Sequence, residues 1–264
     1  MVKKRLLELA LVSLFLLLAS AVLWLTDADR LVFSVVPRNL TIAAVLPASS
    51  WAWPQGNVFP WNTLYRWAGV PAALIGSAAF LLFLLGFVKQ RCAQWRRQAA
   101  FVLLCLALGP GLTVNFLFKE QYGRARPREV VEFGGSEQFT PFWQPGQAGS
   151  NSSFPSGHAA IAFAVMIPWF ALREWRRRAA AGFLAAGLLF GSLVGIARIL
   201  QGGHFPSDIL WAGGLIYLIG GLLALLMKMD SIAESENIAP QAEGRSIKQM
   251  PSCSLYCAPE EARQ

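Results

Sequence analysis

Apolar residues run along this chain in six long blocks, 6–25, 67–88, 99–118, 157–172, 179–197 and 208–227, separated by stretches where charge, proline and glycine concentrate. A helix rises about 1.5 Å per residue, so crossing a hydrocarbon layer roughly 30 Å thick takes about 20 residues. Most of the blocks reach that length. The pattern predicts an all-α, polytopic membrane protein with six transmembrane helices packed as a helical bundle, in one domain over 1–229. Residues 230–264 show no helical or strand periodicity and read as a disordered cytoplasmic tail.

Composition supports a membrane protein: 55% of the 264 residues are hydrophobic and 14% charged, against about 25% charged in soluble domains. The first block follows "MVKKR" and contains "ASA" at 19–21, so a cleaved signal peptide is an alternative. Its apolar run is long for one, and retention as a helix is favoured.

Orientation follows from the 23 Lys and Arg residues. With the N-terminus, the connectors 89–98 and 173–178 and the tail on one side, that side holds 15 and the other 8. The positive-inside rule makes both termini cytoplasmic. The net charge of +8 is then mainly a topology signal and not a nucleic-acid footprint.

Smaller features have plain readings. Cys92, Cys253 and Cys257 fall on the reducing side and Cys105 inside a helix, so no structural disulfide is expected. Cys253 and Cys257 lack the further Cys or His that a metal site needs. Gly187, Gly191 and Gly195 form a small-residue stripe suited to close helix packing within the bundle. "WAWPQGNVFPW", 51–61, fits a re-entrant or surface segment at the membrane interface. The sequons at Asn39 and Asn151 matter only in a glycosylating secretory pathway.

Five of the eight outward basic residues need another reason. Lys119, Arg124, Arg126, Arg128 and Arg198 gather at the same helix ends as His158 and His204, the only histidines in the chain. The third block exits through "FLFKEQYGRARP", the fourth opens with "FPSGH", and the fifth leaves through "GIARILQGGHFPSD". Taken singly, these stretches could be a lipid-headgroup loop, a helix start capped by Ser156, and an ion pair of His204 with Asp208. Together, on one membrane face, they supply what phosphoryl transfer requires.

That transition state spreads charge over three equatorial oxygens, and fixed donors aimed at them are the largest expected catalytic term. Arg126 and Arg198 offer planar forks and Lys119 a point charge. Ser156 and Gly157 would add backbone amides at a helix N-terminus. Asp208, four residues after His204, would accept from one ring nitrogen, fixing the tautomer and freeing the other nitrogen to attack phosphorus. His158 would protonate the leaving oxygen. Spacing alone permits the two histidines to exchange roles, although only His204 has a carboxylate so near.

"K-x6-RP" (Lys119 to Pro127), "PSGH" (Pro155 to His158) and "R-x5-H-x3-D" (Arg198 to Asp208) resemble the three signature stretches of the type-2 phosphatidic acid phosphatases and their vanadium haloperoxidase relatives. Order, spacing and residue types agree over 119–208, and the six helices resemble the family's integral-membrane branch. The resemblance implies a phosphatase core bundle and a metal-independent lipid phosphatase with no cofactor. It also implies a phosphohistidine on His204, with His158 as general acid. Ala197 departs from the serine usual in the family, which removes one phosphate hydrogen bond.

Four other readings use parts of the same residues. A lipid-to-lipid phosphotransferase shares the first half-reaction. A vanadate-dependent haloperoxidase has no need of six spans, and a protein that had lost catalysis would be expected to lack a histidine or the aspartate. Zinc hydrolysis conflicts with the repulsion of a cation by Lys119, Arg126 and Arg198.

Depth points to the substrate. Sixteen residues from Gly157 to Leu172 span about 24 Å, so their reactive end lies near or below headgroup level. Arginines at that depth favour an anion. A lipid phosphate arriving sideways from the bilayer fits, beneath an aromatic lid formed by 119–156. "FGG" and "FTPFW" are similar to stretches of lipid A phosphatases; undecaprenyl diphosphate and phosphatidylglycerophosphate are equal candidates.

Overall fold

All six apolar blocks are helical in the computed structural model, which describes residues 2–39, 52–118, 121–147 and 153–229. Lys119, Asn151, Cys253, Cys257 and the polar tail from 230 onward lie outside the described residues.

Five helices are long and apolar enough to cross a membrane: Val2–Leu25, Trp61–Val88, Arg96–Phe118, Arg177–Leu200 and Pro206–Leu226. The sixth, Gly157–Leu172, is shorter. We label them α1 (Val2–Leu25), α2 (Ala28–Val35), α3 (Trp61–Arg66), α4 (Val70–Val88), α5 (Arg96–Leu106), α6 (Gly157–Phe163), α7 (Pro168–Leu172), α8 (Arg177–Leu200) and α9 (Pro206–Leu226). The second span is α3 and α4 joined by a turn, and the third is α5 continued by a π-helix, Ala107–Phe118. Pro110 lies inside that π-helix, and its carbonyl accepts from Asn115 Nδ2 at 2.6 Å. A proline has no amide to donate and its ring crowds the preceding turn, so a widened helix here has a local cause. The same reasoning applies between α6 and α7, where a 3-10 turn, Ala164–Met166, precedes Pro168.

The short fourth span is the centre of the bundle. Ala159, Ala160, Ala162, Ala164 and Met166 are all fully buried. α8 packs closely along it because Gly187 and Gly191 leave no side chain in the way: a Cβ on these glycines would strike Met166 and Phe163, while one on Gly195 would strike Ile209 of α9. The stripe thus faces inward, as its spacing implied. Leu7, Phe15 and Leu18 on α1 and Leu81 on α4 are exposed, apolar surface suited to a lipid solvent.

α1 is bound into the fold along its length. Ser20 accepts from Trp211 Nε1 of α9 at 3.0 Å, and Leu16 packs where Gly214 has no side chain. At the far end Glu8 accepts from Arg173 Nη1 at 2.9 Å and from the Tyr217 hydroxyl at 2.5 Å. Arg5 of α1 pairs with Glu174.

The stretch between the first two spans is part core and part surface. The described part of "WAWPQGNVFPW" folds inward at its start: Trp53 is buried and meets Phe33 of α2 edge to face at 5.4 Å. Phe133 and Phe205 complete this cluster. Further along, the segment stays at the surface, with Val58 and Phe59 exposed.

Candidate active site

His204 occupies the turn between α8 and α9, with Arg198 in the last turn of α8 and Asp208 in the first of α9. The turn brings residues four and six positions apart into one buried polar centre. Ser156 caps α6, its hydroxyl accepting from the Ala159 amide at 3.4 Å. His158 is half-buried one residue into that helix.

The tautomer of His204 is set differently from the sequence expectation. Its Nδ1 stands 2.6 Å from the Ser153 carbonyl and 3.7 Å from Asp208 Oδ2. A carbonyl can only accept, so Nδ1 carries the proton and Nε2 keeps its lone pair. Asp208 is occupied elsewhere: Oδ2 accepts from the Ser153 hydroxyl at 2.6 Å and the Phe205 amide at 2.8 Å, and Oδ1 from Arg124 at 2.6 Å. The aspartate therefore orients the histidine through Ser153, whose hydroxyl it holds while the carbonyl of the same residue fixes the ring.

Burial pushes His204 down to about 4, with Arg198 and Arg126 adding to the fall and Asp208 opposing it. The imidazole is neutral at neutral pH. A neutral ring with one nitrogen pinned as donor presents a nucleophilic nitrogen.

Arg124 is the buried support of this centre. Fully enclosed, it donates to Asp208, to Ser207 Oγ at 2.8 Å and to Asp29 Oδ2 at 2.9 Å, while Nε reaches the Thr140 carbonyl at 2.9 Å. Its guanidinium carbon lies 4.3 Å from the centre of the Phe205 ring. Asp29 also accepts from the Ser207 amide at 2.9 Å and the Ser207 hydroxyl at 2.5 Å. Two carboxylates thus share one arginine, and α2 is tied to the start of α9.

Arg198 is buried, its Nη1 donating to Gln201 Oε1 and its Nε without a hydrogen-bond partner among the described residues. Its guanidinium carbon stands 4.7 Å from the centre of the Tyr65 ring, and the same ring lies 4.6 Å from that of His158. Arg126 is half-buried, with its amide donating to Glu129 Oε2 at 2.9 Å. Arg128 is anchored through its amide to the Gly202 carbonyl at 3.0 Å, and burial, with Arg126 nearby, depresses its guanidinium below the usual range. The result is an excess of positive charge beside a neutral histidine, an arrangement suited to a multiply charged anion.

Of the residues named from sequence, the structure brings His204, His158, Asp208, Arg198, Arg126, Ser156 and Gly157 to one end of the bundle; Lys119 lies outside the described residues. Ser156 differs in detail, since its amide goes to the Asp208 carbonyl at 3.3 Å. Arg124, Asp29, Ser153, Ser207 and Tyr65 had no assigned role. Arg124 was visible as one basic residue of the outward cluster, whereas the others carry no local signal. Among the described residues no three His, Cys, Asp or Glu side chains gather as metal ligands. The aromatic residues of the connecting segment pack against α1 and α9, Trp143 meeting Trp24 at 5.1 Å and Phe142 meeting Trp211 at 5.9 Å.

The profile of the PAP2 superfamily matches residues 98–231. The chain is 36% identical over 154 residues to the lipid A 4'-phosphatase of Francisella tularensis subsp. novicida, covering 57% of this chain and 68% of that protein. It is 34% identical over 150 residues to the lipid A 4'-phosphatase of Rhizobium leguminosarum, covering 54% of this chain and 61% of the relative. To the phosphatidylglycerophosphatase B of Bacillus subtilis it is 30% identical over 159 residues, 58% of this chain and 69% of that one. Among solved structures none gives a significant match. The family profile covers both histidines, the buried arginines and Asp208, and the chain belongs to the PAP2 superfamily, the type-2 phosphatidic acid phosphatases.

Proposed function

We propose that this protein is a metal-independent membrane lipid phosphatase working through a phosphohistidine. One observation carries the reading: a buried, neutral His204 whose Nδ1 is held by the Ser153 carbonyl, beside Arg198 and Arg126. Nε2 attacks phosphorus, the phosphate oxygens lie against the arginines and Lys119, and His158 gives its proton to the departing lipid oxygen. Gly157, whose amide has no partner among the described residues, supplies a further donor. Water then attacks the phosphohistidine and releases inorganic phosphate.

The substrate is a phosphate of the lipid A type, at the outer face of the cytoplasmic membrane with both termini inside. The names of the relatives above support the lipid, and the distribution of Lys and Arg supports the orientation. Phosphatidylglycerophosphate and undecaprenyl diphosphate carry the same reacting group and belong in the test. Purified protein is given a panel of these phosphates, with and without an acceptor lipid, and released inorganic phosphate is measured. Release without an acceptor is the expected result; phosphate moving only to a second lipid would replace hydrolysis by transfer. Impermeant labelling of cysteines placed at 136–147 in intact cells is expected to succeed, and labelling confined to permeabilised cells would move the site to the cytoplasm.

A further inference from the structure

We propose that Tyr65, outside all three signature stretches, is a positioning residue whose ring holds the leaving-group acid His158 and the phosphate ligand Arg198 in fixed relation. The proposal rests on the phosphatase reading above and adds a part to the same site.

The ring meets both groups at once. Its centroid lies 4.6 Å from that of His158, the planes inclined by 36°, and 4.7 Å from the guanidinium carbon of Arg198. Tyr65 comes from α3, far in sequence from either partner. Its segment is tied to Arg198 a second time, since Gln201 accepts from Arg198 and donates through Nε2 to the Gly56 carbonyl at 2.9 Å. The phenol hydroxyl has no hydrogen bond among the described residues, so what Tyr65 supplies is the aromatic face. A ring face attracts a guanidinium, and an aromatic side chain with two rotatable bonds is ordered at small entropic cost. Arg198 has few other restraints among the described residues: one nitrogen is held by Gln201, and Nε has no hydrogen-bond partner there.

The consequence is specific to the step each partner performs. In the first half-reaction the His204 Nε2–P bond forms, the P–O bond to the lipid breaks, and the His158 proton goes to the departing oxygen. An alkoxide needs that proton and a nitrophenolate does not. Disturbing His158 therefore penalises alkyl esters selectively, while disturbing Arg198 weakens every phosphate and phosphate mimic.

The test compares kcat/KM for a hexadecyl phosphate and a chain-matched nitrophenyl phosphate in one detergent, together with inhibition by vanadate. Tyr65→Leu is expected to lower kcat/KM for the alkyl ester roughly tenfold more than for the aryl ester and to weaken vanadate inhibition. Tyr65→Phe, which keeps the ring, should restore both readouts. Equal losses on the two esters would leave only a packing role and overturn the proposal, as would a Tyr65→Phe protein no better than Tyr65→Leu. An active wild type with an unaffected Tyr65→Leu variant would remove Tyr65 alone, whereas a wild type inert on both esters would remove the phosphatase reading and this role with it.

Discussion

Arg124 and Asp208 form a fully buried ion pair at 2.6 Å, and the same arginine holds Asp29 at 2.9 Å. Stranding a buried charge outright costs about 3–5 kcal/mol; Asp208→Asn leaves Arg124 paired with Asp29, so its cost comes from the weakened bonds to Arg124, Ser153 and the Phe205 amide and falls below that range. Asp208→Asn is therefore expected to lower the thermal midpoint in detergent as well as slow turnover. A variant slowed with an unchanged midpoint would mean that Asp208 acts on the histidine alone.

Ser153→Ala separates the two effects. It removes the hydroxyl that Asp208 holds but keeps the carbonyl that fixes His204. Turnover should fall by roughly tenfold, about 1.4 kcal/mol, with less loss of stability than Asp208→Asn. Kinetics and melting curves on the pair of variants decide this.

The pH dependence carries a definite sign. Attack requires neutral His204, whose value lies near 4 rather than the ordinary 6.5. Activity is thus held as pH falls through 6 and lost only near 4, once the second ionisation of the substrate phosphate is corrected for. A pH profile of kcat/KM with an acid limb at 6.5 would contradict a buried neutral nucleophile. His204→Ala is expected to abolish turnover and His158→Ala nearly so. EDTA should leave wild-type activity intact, and vanadate should inhibit it.

α1 is expected to stay in the mature protein. The ties of Glu8 to Arg173 and Tyr217, and of Ser20 to Trp211, are lost if a leader is cut after residue 21. Intact mass of the purified protein reads this directly. A mass lacking the first 21 residues would revive the signal-peptide alternative.

Gly191→Ala is expected to destabilise by about 1–3 kcal/mol, because its Cβ meets the Phe163 ring, whereas Gly182→Ala, with open space around it, should be neutral or better. Thermal unfolding of both proteins checks the pair.

The spans and the signature residues were legible because each is a local signal. Apolar runs mark helices, and His158, Arg198, His204 and Asp208 interrupt or bound them at one end. Arg124 was legible as charge but not as a role, since its partners Asp29 and Asp208 lie 95 and 84 residues away. α2 was missed because eight residues between spans hold too few turns to display a period. The Ser153 carbonyl could not be foreseen, as every residue carries one, and Tyr65 is an ordinary aromatic until the fold places it against His158.

The short central helix has a meaning beyond its length. Gly157–Leu172 is surrounded by other helices and scarcely meets lipid, so nothing obliges it to match the thickness of the bilayer. Its neighbours α1, α8 and α9 are long enough to span that layer, whereas its own 16 residues fall about 6 Å short of a 30 Å core. If that shortfall lies on the reactive side, the phosphate of the proposed lipid substrate leaves the headgroup plane before it reacts, a descent that buried arginines favour for a dianion. In the lipid phosphatase proposed above, such a depth would select molecules whose hydrocarbon anchor lets the charge sink, and kcat/KM for a long-chain lipid phosphate against its short-chain analogue in one detergent reads that preference.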